Sequence, residues 1–366
     1  MIKPHHFITL AAAALVSVLL ALFVYASANR WSEGHIEGEA LLPGLADHVR
    51  DVKAIEITQT GKKLTIERGD STWKLKEKGG FPVKPEAVRT LVVALTEAQL
   101  IEPKTAIKSK LDLLELEDPS GKDAKSRGVR LLDASGKAIA DVVFGKTRWD
   151  AFGSGRGGIY ARRASQTQSW LATGDPKITS DVTDWVDTKV FAADKGKVAR
   201  LTVEHAGEAP LVIEKGPAPK PAAPTAEASK EAKPAPAKAP APADDAKYHL
   251  TGIPEGKKLK KDVKIDDMVE AFNTLELEDV RKLDAPPAGT DVTVLRLEQT
   301  GGATVVFRLR KDGDARWISL EATGTDAAAK KAADALNAKA KGWEFKIPTW
   351  RGDQMSKRRA DLFETS

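Results

Sequence analysis

Two stretches of this chain, 180 residues apart, carry the same apolar stripe. Val88, Leu91, Val92 and Leu95 fall at i, i+3, i+4 and i+7, and Met268, Ala271, Phe272 and Leu275 repeat that spacing. Four apolar positions on one face predict, in each stretch, a helix that lays the same side on a sheet. The residues around the stripes repeat too. Val52-Lys53-Ala54-Ile55-Glu56-Ile57 returns as Val198-Ala199-Arg200-Leu201-Thr202-Val203, both alternating as half-buried strands do. Each leads through a glycine turn, at Gly61 or Gly207, into a second strand, Leu64–Glu67 or Leu211–Glu214. A third short strand sets an aromatic two residues before a leucine: Trp73 with Leu75, Tyr248 with Leu250.

After each helix the pattern continues. Val129–Phe144 reads as two strands about Gly136, and Val294–Leu309 as two about Gly301-Gly302. Further strands are expected near Ile159–Arg162 and Trp317–Leu320. Sequential hairpins imply antiparallel pairing, so the expected class is α+β: two tandem repeats of mostly antiparallel sheet with one main helix each. At 366 residues the chain is long enough for two such bodies, set at 47–190 and 198–350. The junction is expected between Asp187 and Lys197. The second copy is interrupted at 216–246 by a Pro/Ala-rich stretch with too few large apolar side chains to offset ordering entropy, and it is read as a disordered loop. Late in the chain, Thr325 or Asp326 is placed to cap an Ala/Lys-rich helix that stops at Gly342. Trp343, Phe345, Ile347 and Trp350 read as a closing strand, and 351–366 as a basic tail.

The first 30 residues place the chain. Phe7–Tyr25 is an uncharged run of nineteen residues, about 28 Å as a helix and so close to a bilayer's hydrocarbon thickness. Lys3 and the free amine precede it, and Arg30 and then Glu33, Glu37 and Glu39 follow, which predicts retention of the amino end in the cytoplasm. Ala26-Ser27-Ala28 has the small residues of a signal-peptide cleavage site, but the run exceeds the usual length of such a segment. The expectation is a single-pass anchor in the cell inner membrane with the bulk of the chain in the periplasm.

Chemistry-bearing patterns are sparse. Fifty-seven Lys and Arg stand against 52 Asp and Glu, a net charge of +5 mixed along the chain, which gives no footprint for nucleic acid. No cysteine is present, so thiolate nucleophiles and cysteine metal sites are excluded. Gly153-Ser154-Gly155-Arg156-Gly157-Gly158 matches a dinucleotide-loop pattern, yet strand-like residues follow it where that motif needs a helix, so it reads as a hairpin loop. Phe152 stands where a nucleophile elbow around Ser154 would need glycine. His205 and His249 fall in strands that alignment could bring close, without carboxylates at ligand spacing. Asp266 and Asp267 suit a helix N-terminus, and Glu276 and Glu278 its far end. Trp73, Trp185 and Trp350 read as packing anchors. Arg162-Arg163 and Lys357-Arg358-Arg359 are basic runs that could meet anionic headgroups but read as solvated surface. Arg351-Gly352-Asp353 has no independent support as an adhesive motif. No catalytic, cofactor-binding or metal residue is assigned.

This order of anchor, paired strands with a glycine turn, Trp-x-Leu and V-x-x-L-V-x-x-L helix, with Thr183-Asp184-Trp185-Val186-Asp187 before the second copy, resembles the bacterial family called domain of unknown function 4340. The resemblance implies association with ABC-type transport systems of the gliding-motility auxiliary kind, and no catalytic residues. The function expected is therefore a non-enzymatic, membrane-tethered accessory or binding module with a protein partner such as transporter subunits. The alternative is an envelope hydrolase or carbohydrate-binding protein using a cleft between the copies.

Overall fold

The structure is a computed structural model, and it describes residues 17–18, 38–153, 155–216, 248–253 and 257–364. The expected anchor lies outside the described residues except for Ser17 and Val18, and so does the Pro/Ala-rich stretch from 217 on. Among the described residues no helix is long and apolar enough to cross a membrane. The fold is mostly antiparallel sheet with a few helices. It divides into two compact units, one holding residues up to Glu77 with Pro82–Asp181, the other Lys78–Phe81 with everything from Val182.

The first unit is built on a ten-stranded sheet, of whose last strand only Pro82 falls within the unit. In chain order its elements are β1 (Glu39–Ala40), α1 (Leu45–His48), β2 (Ala54–Gln59), β3 (Lys62–Arg68), β4 (Trp73–Leu75), β5 (Phe81–Pro82), α2 (Pro85–Glu97), β6 (Gln99–Pro103), β7 (Arg127–Leu132), β8 (Ala138–Arg148), β9 (Gly158–Arg163) and β10 (Trp170–Thr173). The sheet order is β1-β6-β10-β9-β8-β7-β2-β3-β4-β5. Thr60 and Gly61 join β2 to β3 with both φ angles positive, 51° and 68°. A two-residue turn of this kind matches the twist of the strands it joins. It sets the register Ile55↔Ile66 and Ile57↔Leu64 and turns all four side chains into the core. Pro85 starts α2 where a missing N–H does no harm, and Val88, Leu91, Val92 and Leu95 are its buried residues.

The second unit contains α3 (Val182–Trp185), β11 (Lys189–Phe191), β12 (Val198–Glu204), β13 (Leu211–Lys215), β14 (Tyr248–Thr251), α4 (Ile265–Glu270), β15 (Leu275–Glu276), β16 (Asp279–Lys282), β17 (Val292–Gln299), β18 (Ala303–Asp312), β19 (Ala315–Gly324), α5 (Ala327–Ala340), β20 (Trp343–Ile347), α6 (Thr349–Met355) and α7 (Arg359–Leu362). Its eight-stranded sheet runs β14-β13-β12-β17-β18-β19-β20-β16, while β11 and β15 pair separately. In the first unit, the order β4-β3-β2-β7-β8-β9-β10-β6 is the same with ten taken from every label.

Three expectations need correction. The second apolar stripe is buried throughout, Met268, Phe272 and Leu275 at 0% exposure, but it is not one helix. α4 ends at Glu270, because Asn273 and Thr274 are poor helix formers and Leu275 pairs as a strand with Phe191. The one-main-helix plan also fails in this unit, whose longest helix is α5. That helix starts where Asp326 accepts from the Ala329 N–H at 2.8 Å, and its buried residues are Ala329, Ala333 and Ala340, with Leu336 only half-buried. Residues 351–366, read as a basic tail, are partly packed into the unit over their described part. Leu362 is fully buried, Phe363 is 7% exposed, and Lys260 N–H donates to the Leu362 carbonyl at 2.9 Å.

Candidate functional site

The polar side of the second unit's sheet carries its densest charge cluster. Strand alternation sends Phe345 and Ile347 of β20 into the core and leaves Glu344 on the other side, opposite Arg281 of β16. Glu344 is nevertheless fully buried, because two guanidinium groups close over it. Arg310 of β18 donates from Nε to Oε1 at 2.6 Å and from Nη2 to Oε2 at 2.7 Å. Arg281 donates from Nε to Oε2 at 2.7 Å and from Nη1 to Asp312 at 3.0 Å. The Arg281 guanidinium stacks 3.8 Å over the Trp317 ring, which fixes its plane. Burial by itself pushes the Glu344 carboxyl up, but the hydrogen bonds and charge of Arg310 and Arg281 outweigh it and hold it below the ordinary glutamate value. A carboxylate held ionised in this way has no proton to donate near neutral pH, and both its oxygens are engaged. The cluster is a clamp joining β16, β18 and β20.

An apolar cleft of about 360 Å³ lies beside α5, lined by Val190, Phe191, Val305, Ala322, Ala333 and Leu336. Its origin is in the sequence: a helix whose face toward β18 and β19 is mostly alanine leaves space that longer side chains would fill. Lys339 and Asp187, 3.5 Å apart, form an ion pair at its rim. In the first unit, a wide depression of about 690 Å³ is lined by polar side chains including His48, Arg50, Lys53 and Asp133.

The residues singled out in the sequence do not converge. Gly153 and Gly155 take left-handed φ angles in the loop between β8 and β9, so that segment is a hairpin connection, not a phosphate cradle. His205 and His249 do not meet. The His249 ring contacts the Gly216 carbonyl at 3.1 Å, whereas His205 contacts Thr293 at 3.2 Å and the Lys357 carbonyl at 3.4 Å. Burial, with Arg358 adding to it, keeps the His205 imidazole below its ordinary value against the raising pull of the Lys357 hydrogen bond, Glu208 and Asp361. Among the described residues no group of three His, Cys, Asp or Glu could hold a metal ion. Asp266 and Asp267 sit in the first turn of α4, and Glu278 pairs with Lys346 at 3.0 Å.

Trp185 is a buried anchor at 2% exposure, but Trp350 is 63% exposed in α6, where Arg351 stacks over it at 4.6 Å. The strand ends before it because Pro348 leads directly into the helix. The basic runs are occupied internally. Arg162 donates to the carbonyls of Leu116 and Ala164, and Arg163 to those of Leu41 and Ala40. Arg358 pairs with Glu208, and Arg359 donates to the Pro210 and Gly252 carbonyls. Asp353 of the Arg-Gly-Asp tripeptide is bound by Arg316 at 2.8 Å. The Glu344 clamp was not visible in the sequence, because its partners stand 63 and 34 residues away and no local pattern links them.

The model of the family described as domain of unknown function (DUF4340) matches residues 73–299, more than half of the chain, and the chain belongs to that family. No curated protein and no solved structure matches the chain.

Proposed function

We propose that this chain is a non-enzymatic accessory module, tethered to the inner membrane with its bulk in the periplasm, that serves an ABC-type transport or envelope assembly. The observation that carries this reading is the uncharged run Phe7–Tyr25, preceded by Lys3 and followed by Arg30 and then the acidic residues Glu33, Glu37 and Glu39. A tether of this kind raises the local concentration of the body near membrane partners, so modest contacts suffice for association. The shared strand order supports an origin of the two units by doubling of one ancestral plan, which gives the module two related sheets to present.

The test is crosslinking in intact membranes followed by purification of the full chain. Transporter or envelope subunits recovered with it are the expected outcome, and recovery of the chain alone overturns the reading. Replacing residues before Asn29 with a cleavable export signal separates tether from export: association is expected to fall although the body still leaves the cytoplasm.

A further inference from the structure

Five arginines of the second unit, Arg200, Arg281, Arg310, Arg316 and Arg358, each hold a carboxylate. Arg308 does not. It lies on the same side of β18 as Arg310, half-buried, and its guanidinium makes no hydrogen bond or ion pair among the described residues. Opposite it in the ladder stands Ser319 of β19, 6% exposed, whose hydroxyl has no hydrogen-bond partner either. Both line a pocket of about 160 Å³ where β19 and β20 part company, their pairing having ended at Ile318↔Phe345. Leu283 and Pro286 are apolar residues of its lining, Lys341 adds a second cation, and Asp284 and Glu321 stand at the lining with them.

A guanidinium with unused donors, next to a solvent-reachable hydroxyl with an unused donor and acceptor, is an arrangement open to a ligand or to water. The planar fork of Arg308 matches a carboxylate in two parallel hydrogen bonds. Ser319 can donate a third, and Leu283 and Pro286 at the lining suit a short carbon body. Asp284 and Glu321 repel a doubly charged group, which weighs against phosphate. The volume is below the roughly 300 Å³ at which drug-sized ligands begin to fit. We propose that this pocket binds the carboxylate of a small organic acid.

The experiment titrates the full-length protein with lactate, and in parallel with inorganic phosphate, at constant ionic strength set with sodium chloride, following the thermal unfolding midpoint. Lactate is expected to raise the midpoint saturably, and phosphate less at equal concentration. Arg308→Gln is expected to weaken lactate binding about ten- to a hundredfold, since it removes the charge-assisted hydrogen bonds, and Ser319→Ala about three- to tenfold. Arg296→Gln, an exposed cation on neighbouring β17, is expected to leave the titration unchanged. The proposal is overturned if lactate does not shift the wild-type midpoint, if Arg308→Gln titrates like wild type, or if Arg296→Gln loses as much. A stronger response to phosphate than to lactate overturns the carboxylate assignment.

Discussion

The two units share a strand order and differ in what is added to it. In the first, β9 and β10 are joined by the short stretch from Ala164 to Ser169, and the covering helix is α2, thirteen residues with four large buried side chains. In the second, fourteen residues of α5 are inserted at that same connection, while the counterpart of α2 shrinks to the six residues of α4. The helix that was lost kept its buried side chains, and the helix that was gained buries chiefly alanines. Cores conserve volume more strictly than secondary structure. Phe272, at the position equivalent to Val92, fills with an aromatic ring part of what a longer helix would cover, packing 5.1 Å from Phe307, which in turn lies 5.1 Å from Phe191.

Truncations at the equivalent positions sharpen the contrast most. Phe272→Ala is expected to destabilise the second unit by about 3–5 kcal/mol, the range for a fully buried aromatic ring. Val92→Ala in the first unit should cost roughly 1–2 kcal/mol for its two methyl groups. Urea unfolding read by site-resolved hydrogen exchange separates the two units, and equal losses would break the comparison.

Next in size is Glu344→Gln, which affects the clamp of the second unit; at the equivalent pairing in the first, Glu102 faces Leu171. Leaving Arg281 and Arg310 without their carboxylate should cost about 3 kcal/mol, toward the low end for breaking a buried pair because both arginines are about one-third exposed. The sign of its pH dependence follows from the lowered carboxyl. The folded state binds fewer protons than the unfolded one, so this contribution is fully present above about pH 4.5, the ordinary glutamate value, and is lost as pH falls through the lower folded value. Denaturation midpoints measured down the acid limb should show that loss in the wild type and not in Glu344→Gln. Asp326→Ala, which removes the cap of α5, has the smallest expected effect, about 1 kcal/mol on the second unit alone. A circular-dichroism melt that leaves the second transition unmoved would show that α5 is held by packing and not by its cap.

Much of this frame was legible because it depends on local periodicity. Alternating residues such as Ile55, Ile57, Leu201 and Val203 announce half-buried strands, and Asp326 ahead of an alanine run announces a helix start. The stripe ending at Leu275 misled because its apolar spacing is satisfied equally by a short helix, a turn and a strand end that face one core; Asn273-Thr274 was the available sign of the break. Burial of Glu344, and the emptiness around Arg308 and Ser319, depend on which strands become neighbours across 11 to 63 residues of chain. No window of sequence contains that information. The same holds for Trp350, whose exposure depends on Pro348 turning the chain after β20.

The outer edge of β19 is sealed by a side chain where its neighbouring strand ends. Beyond Ile318 its outer side lacks β20, yet the side-chain amide of Asn337 accepts from the Ala322 N–H and donates to the Ala322 carbonyl, each at 2.8 Å, as a neighbouring strand would. A single residue on a helix thereby closes a gap into which a stray β-segment from another molecule could otherwise zip. Asparagine at this position is a guard against clumping, and its removal should be felt first in crowded, concentrated solutions.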